Sequence, residues 1–138
     1  MSLVQTQTTS FKAELYQGVH DLLTDEIYIA LYTADADLSQ STTIYTSTGE
    51  VVATGYDAGG QLLLNPTVAS DGYTAYVSFD NPSWASALTA RGALIYNLTQ
   101  GNKSIAVLDF GADKTSTTTF TVTFPANTAG SAVLRSSN

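Results

Sequence analysis

Hydrophobic and polar residues alternate from Thr117 to Phe124, with Phe120, Val122 and Phe124 on one side and Thr119, Thr121 and Thr123 on the other. Successive side chains of a strand leave on opposite faces, so the spacing predicts a strand with one dry face and one hydroxyl face. After the Asp71-Gly72 turn, Tyr73, Ala75, Val77 and Phe79 alternate with Thr74, Tyr76 and Ser78. That pattern predicts a second half-buried strand, stopped by Asp80-Asn81-Pro82. Between Glu26 and Thr33 both alternating sets, Ile27, Ile29, Leu31 and Tyr28, Ala30, Tyr32, are apolar or aromatic, as in a central strand covered on both faces. The apolar runs Arg91–Leu98 and Ser104–Phe110 flank the Gly-containing stretch Thr99–Lys103 and predict a hairpin. Gly59 and Gly60 predict positive φ or a bulge where Gln61–Leu64 begins. A short extended piece is expected at Trp84 and a last strand over Ser131–Leu134.

One segment follows a different period. Phe11, Leu15, Val19, Leu22 and Leu23 recur at helical spacing and predict one helix over residues 11–23, with Ser10 as N-cap and Gly18 as an interior flaw. Its apolar stripe needs a sheet to cover. Residues 34–48, rich in Asp, Ser and Thr, read as a long mobile connection. The expected fold is all-β, an antiparallel β-sandwich or barrel with one short N-terminal α-helix. It forms a single domain over residues 1–138, with flexible polar ends at 1–9 and 135–138.

Composition narrows the functional classes. The chain has no Cys, which excludes a disulfide framework and thiolate metal sites. A net charge of −7 argues against binding a phosphate backbone, so nucleic acid is not an expected partner. The charge is uneven: residues 1–90 hold ten acids against Lys12 alone, whereas Arg91, Lys103, Lys114 and Arg135 outnumber Asp109 and Asp113 in the remainder. Such asymmetry can orient copies of a protein against one another or against a larger partner. Solvated loops with chance placement would give the same count. The first ten residues carry no secretion-signal pattern, and no apolar run approaches the ~20 residues of a membrane span, so no membrane partner is expected.

The candidates for chemistry are few. His20, the only histidine, lies beside Asp21 in the predicted helix, where a surface contact is commoner than catalysis. Asp25-Glu26 point apart if extended, and Asp35 with Asp37 lack the Gly and bidentate Glu of a calcium loop, so solvated acids are the simpler reading. No glycine-flanked nucleophilic serine or phosphate-cradling loop is present. No catalytic residue, metal site or cofactor is expected. Most tyrosines fall in predicted strands and read as core, leaving Tyr45 and Tyr56 in loops as interface candidates, or with Trp84 as a sugar-stacking platform.

Several stretches taken together resemble a known set. They are Phe11–Asp21, Tyr28–Tyr32, Gly55–Gly60, Ala90–Tyr96, and Ala106–Gly111 with Asp113-Lys114. In that order they resemble small virion structural proteins of tailed bacteriophages, over about residues 11–125. The resemblance implies a non-enzymatic particle component made in the host cytoplasm: a capsid-decorating (cement) protein, a head-fibre base or a tail accessory. Its partners would be capsid or other virion proteins and further copies of itself. Arg91, Lys103, Lys114 and Arg135 are the expected orienting contacts with an acidic neighbour, alongside Tyr45 and Tyr56. The alternative is a carbohydrate-binding, adhesin-like module.

Overall fold

The computed structural model describes residues 3–136. In chain order the elements are β1 (Thr6–Gln7), α1 (Thr9–Tyr16), β2 (Ile27–Tyr32), β3 (Gln61–Leu62), β4 (Thr67–Asp71) and β5 (Thr74–Ser78). Then follow β6 (Ser83–Trp84), β7 (Thr89–Asn97), β8 (Lys103–Thr115), β9 (Phe120–Thr121) and β10 (Leu134–Ser136). The expected all-β fold with one short helix is what forms. Three sheets build it, in the orders β1-β8-β7-β2-β3, β10-β5-β4 and β6-β9, with every strand pair antiparallel.

The five-stranded sheet carries a core on each face, and β2 shows why. Ile27, Ile29 and Leu31 enter the larger core, while Ala30 and Tyr32 enter the smaller one. Each fully buried Ile or Leu contributes about 1.5–3 kcal/mol relative to exposure. Phe79, Trp84, Phe120, Val122, Phe124 and Leu134 bring the smaller sheets and their flanks onto the larger core. The predicted hairpin is β7–β8, with bulges between Ala90 and Gly92 and between Ile95 and Tyr96.

Several expectations are corrected. The helix is shorter than residues 11–23 and is capped by Thr8, whose hydroxyl accepts the Phe11 N–H, not by Ser10. Gly18 is its terminator: at φ 71 it lets Gly18 N–H reach Leu15 O and Val19 N–H reach Glu14 O, the two bonds of a Schellman end. Residues 34–48 are a packed cover for the smaller core. Ala36 and Leu38 are buried, and backbone bonds tie Tyr45 N–H to Asn102 O and Ser104 N–H to Thr43 O. The N-terminal stretch, expected to be flexible, pairs Thr6 with Val107 and Gln7 with Ala106; residues 1–2 lie outside the described ones. The last strand sits later than Ser131–Leu134 and includes Arg135 and Ser136, expected as part of a loose end; residues 137–138 lie outside the described ones. Between Thr119 and Phe124 burial alternates as the pattern requires, but only Phe120 and Thr121 pair with another strand.

Candidate functional site

Tyr45 and Tyr56 converge on a residue that composition did not single out, Glu50. A turn closed by Glu50 N–H to Ser47 O, with Gly49 at φ 79, sets Glu50 against Tyr32 at the margin of β2. Its carboxylate accepts from Tyr45 Oη at 2.5 Å, Tyr56 Oη at 2.6 Å and the Gly59 N–H at 2.8 Å. The residue is 8% exposed. Tyr56 Oη in turn accepts the Leu31 N–H, Tyr96 Oη donates to Gly59 O, and Tyr32 Oη donates to Thr46 O. The Tyr45 and Tyr96 rings stack with centroids 4.9 Å apart.

These phenols are held as donors. Burial first, and the Glu50 carboxylate second, push Tyr32, Tyr45 and Tyr56 far above the ordinary tyrosine range. The same causes raise Tyr96 to about 12. None is poised as a phenolate base or nucleophile at neutral pH; the cluster is a clasp closing residues 45–60 over the sheet. An unfolded tyrosine ionises near pH 10 and these folded ones higher, so their contribution to stability is complete below about pH 10 and is lost as pH rises beyond it. Alkaline unfolding should begin there, with part of the tyrosinate absorbance appearing only as far-UV circular dichroism is lost. A tyrosinate signal complete before any loss of structure would contradict the clasp.

His20 is likewise a tie. Its ring is fully buried, 2.9 Å from Glu14 Oε1 at Nε2 and 3.0 Å from Asn97 Nδ2 at Nδ1, and it packs on Phe11 with centroids 5.0 Å apart. With Asn97 donating to Nδ1, Nε2 carries the proton that Glu14 accepts. Asn97 also donates to Asp25 Oδ2 at 2.9 Å, so the node joins the helix, the following turn and β7. Burial acts to raise the Asp25 carboxyl, but hydrogen bonds from Asn97, the Asp21 backbone and Gln100 outweigh it and hold the group below its ordinary value. Glu26, Asp35 and Asp37 are exposed. Among the described residues, no three of His, Asp and Glu are grouped closely enough to hold a metal ion.

The proposed sugar platform is not present, because the Tyr56 and Trp84 rings are buried, at 6% and 5% exposure. Trp84 packs between Tyr56 and Phe120. Its indole N–H is buried without a hydrogen-bond partner among the described residues.

The concave surface lies elsewhere. Two clefts of about 660 and 420 Å³ share Phe110, Val122 and Thr123 and so run together between β8 and residues 119–125. Leu108 and Phe124 line the first, Phe120 the second. Arg135 stands on the first and Lys114 on the second. Asp109, also on the groove, accepts from Arg91 Nε at 3.2 Å. The Gly111 N–H first and Arg91 second hold its carboxyl below the ordinary value against a modest effect of burial. Two of the four expected basic contacts, Lys114 and Arg135, therefore line one groove, and Arg91 meets it only through Asp109. Lys103 does not: its Nζ donates to Gln100 O at the hairpin turn, and the β7 partners of Lys103 and Lys114, Asn97 and Ala90, put the two roughly 23 Å apart at ~3.3 Å per residue.

Glu50 and Asn97 are the structural residues that sequence reasoning missed. A signal existed for Glu50, an acid leading directly into the apolar Val51-Val52-Ala53. No protein family, curated protein or solved structure matches the chain. No helix among the described residues is long and apolar enough to cross a membrane.

Proposed function

We propose that the protein is a non-enzymatic structural component of a tailed-bacteriophage particle, a capsid-decorating or cement protein bound to the head shell in many copies. It would be made in the host cytoplasm and reside in the virion, with capsid or other virion proteins and further copies of itself as partners. The observation that carries the assembly part of this reading is the Glu50 clasp. The buried carboxylate, its two phenolic donors and the Gly59 N–H are all engaged with one another, so the densest polar cluster serves rigidity. The His20 node is committed in the same way. What is left accessible is a groove of mixed polar and apolar lining with Lys114 and Arg135 along it, which suits a polypeptide contact. The particle itself rests on the resemblance of the sequence motifs. Of the three rings of the carbohydrate-binding alternative, Tyr56 and Trp84 are buried and only Tyr45 is partly exposed, which weighs against that reading.

Immunogold electron microscopy of the source particles tests the reading. Gold over heads is the expected result; gold confined to tails would make the protein a tail accessory, and bare particles would overturn the virion assignment. Reversing Lys114 or Arg135 to Glu should lower occupancy on particles and weaken its salt dependence, whereas reversal at Lys103, outside the groove, should have the smaller effect.

A further inference from the structure

We propose that the groove between β8 and residues 119–125 receives the tip of the β4–β5 hairpin from a second copy of this chain. The outer strand and tip of the hairpin are thinly covered. β4 ends its sheet, pairs only with β5, and is exposed at every residue except the half-buried Ala69. Across the sheet, Leu134, Val77 and Val68 stand in one row. They pass from 3% exposed at Leu134 to 50% at Val68, so the apolar row runs from the core to an uncapped edge. At the tip, Asp71-Gly72-Tyr73, the Tyr73 ring is 91% exposed. An edge strand is ordinarily protected by a charge, a proline or a bulge; β4 has Pro66 before it and Asp71 at its end, and none of these between.

The groove is complementary to the hairpin tip in charge. Beyond Val107, β8 pairs with β7 on one side and with no strand on the other among the described residues, and β9 pairs only with β6. Its floor is formed by the buried Leu108, Phe120, Val122 and Phe124, and the half-buried Phe110, shared by both clefts, offers an aromatic face to an incoming ring. Arg91 already neutralises Asp109, leaving Lys114 and Arg135 as the excess charge in a protein of net −7. Asp113 is not among the residues that line the groove. The hairpin, residues 67–78, carries Asp71 and no base. Thr74 lines the chain's own groove while Tyr73 beside it remains in solvent, so donor tip and acceptor groove adjoin on one surface. Two copies related by a two-fold axis can then exchange tips reciprocally, giving a closed dimer.

This inference rests on the self-association part of the reading above and not on the virion location. Its test is the oligomeric state of the purified full chain by sedimentation velocity across concentration and salt. A dimer weakened by added salt is expected. Tyr73→Ser, Asp71→Lys and Lys114→Glu should each raise the dimer dissociation constant at least about tenfold. These residues are solvent-exposed, so thermal melts should stay near those of the wild type. Combining Asp71→Lys with Lys114→Glu should recover dimer that either reversal loses. A monomer at every soluble concentration overturns the proposal, as does a dimer indifferent to all three changes. Sensitivity to Tyr73→Ser alone would overturn the groove as the seat of the hairpin. None of these outcomes touches the particle-labelling test.

Discussion

Replacing Gly60 by alanine should cost about 3–5 kcal/mol, lowering Tm by about 10–20 °C or preventing folding. Gly60 sits at φ 81, and a Cβ there would fall on the Ile29 carbonyl oxygen, with the Ala30 Cα only 2.8 Å away. Ile29 is fully buried in β2, so the backbone it would strike has nowhere to retreat. Conformational strain alone is not the reason. Gly72, at φ 61, has nothing within 4 Å of the equivalent Cβ position, and Gly72→Ala should cost only about 1–2 kcal/mol. Thermal melts of the two variants check the difference. Equal losses would assign the cost at Gly60 to its dihedral and not to the close approach against β2.

Glu50→Ala should be nearly as damaging, at about 3–5 kcal/mol in urea unfolding, because it strands buried donors. The Tyr45 and Tyr56 hydroxyls and the Gly59 N–H lose their shared acceptor, and only part of that loss can be made good by water at half-buried Tyr45. Glu50→Gln keeps one acceptor oxygen and turns the other into a second donor facing donors, so its cost should fall between wild type and Glu50→Ala. Tyr56→Phe also strands the Leu31 N–H, which ties the clasp to β2. Residues sharing one buried network couple, so the Glu50→Gln, Tyr56→Phe double variant should lose less than the sum of the singles by about 0.5–3 kcal/mol. Simple additivity would mean that the carboxylate and the phenol act independently.

Period-2 patterns were the legible part of this chain. β2 reads as apolar on both faces because it lies between β7 and β3 with a core on each side. The burial alternation at 119–124 follows its Thr/Phe pattern, yet that pattern says which face is dry and nothing about who pairs with the edge. Hence only two residues of the predicted strand make a ladder. Helical spacing overran Gly18 because Leu22 still packs against the core from a turn beyond the helix end. In residues 34–48 the acids at 35 and 37 masked the buried Ala36 and Leu38 that alternate with them, so composition hid a period. The Glu50 clasp depends on turns at Gly49 and Gly59 aiming nearby residues inward, which spacing alone does not encode. The groove was invisible for a plainer reason: its walls come from β1, β8 and residues 119–135, which only the tertiary fold brings together.

The pairing of β1 with β8 also constrains the order of events during synthesis. Thr8 and Ile105, which hydrogen-bond beside that pairing, are 97 residues apart. Translation at ~5–20 residues per second leaves the first strand without its partner for about 5–20 s after it is made. The β7–β8 hairpin, by contrast, is local and can close on a microsecond scale once both strands exist. The earliest-made strand is therefore a latecomer to the fold. Premature chain termination before residue 106 would release a product whose β1 lacks its ladder and keeps only the bonds of Val4 and Thr9 to Leu38 and Gln40.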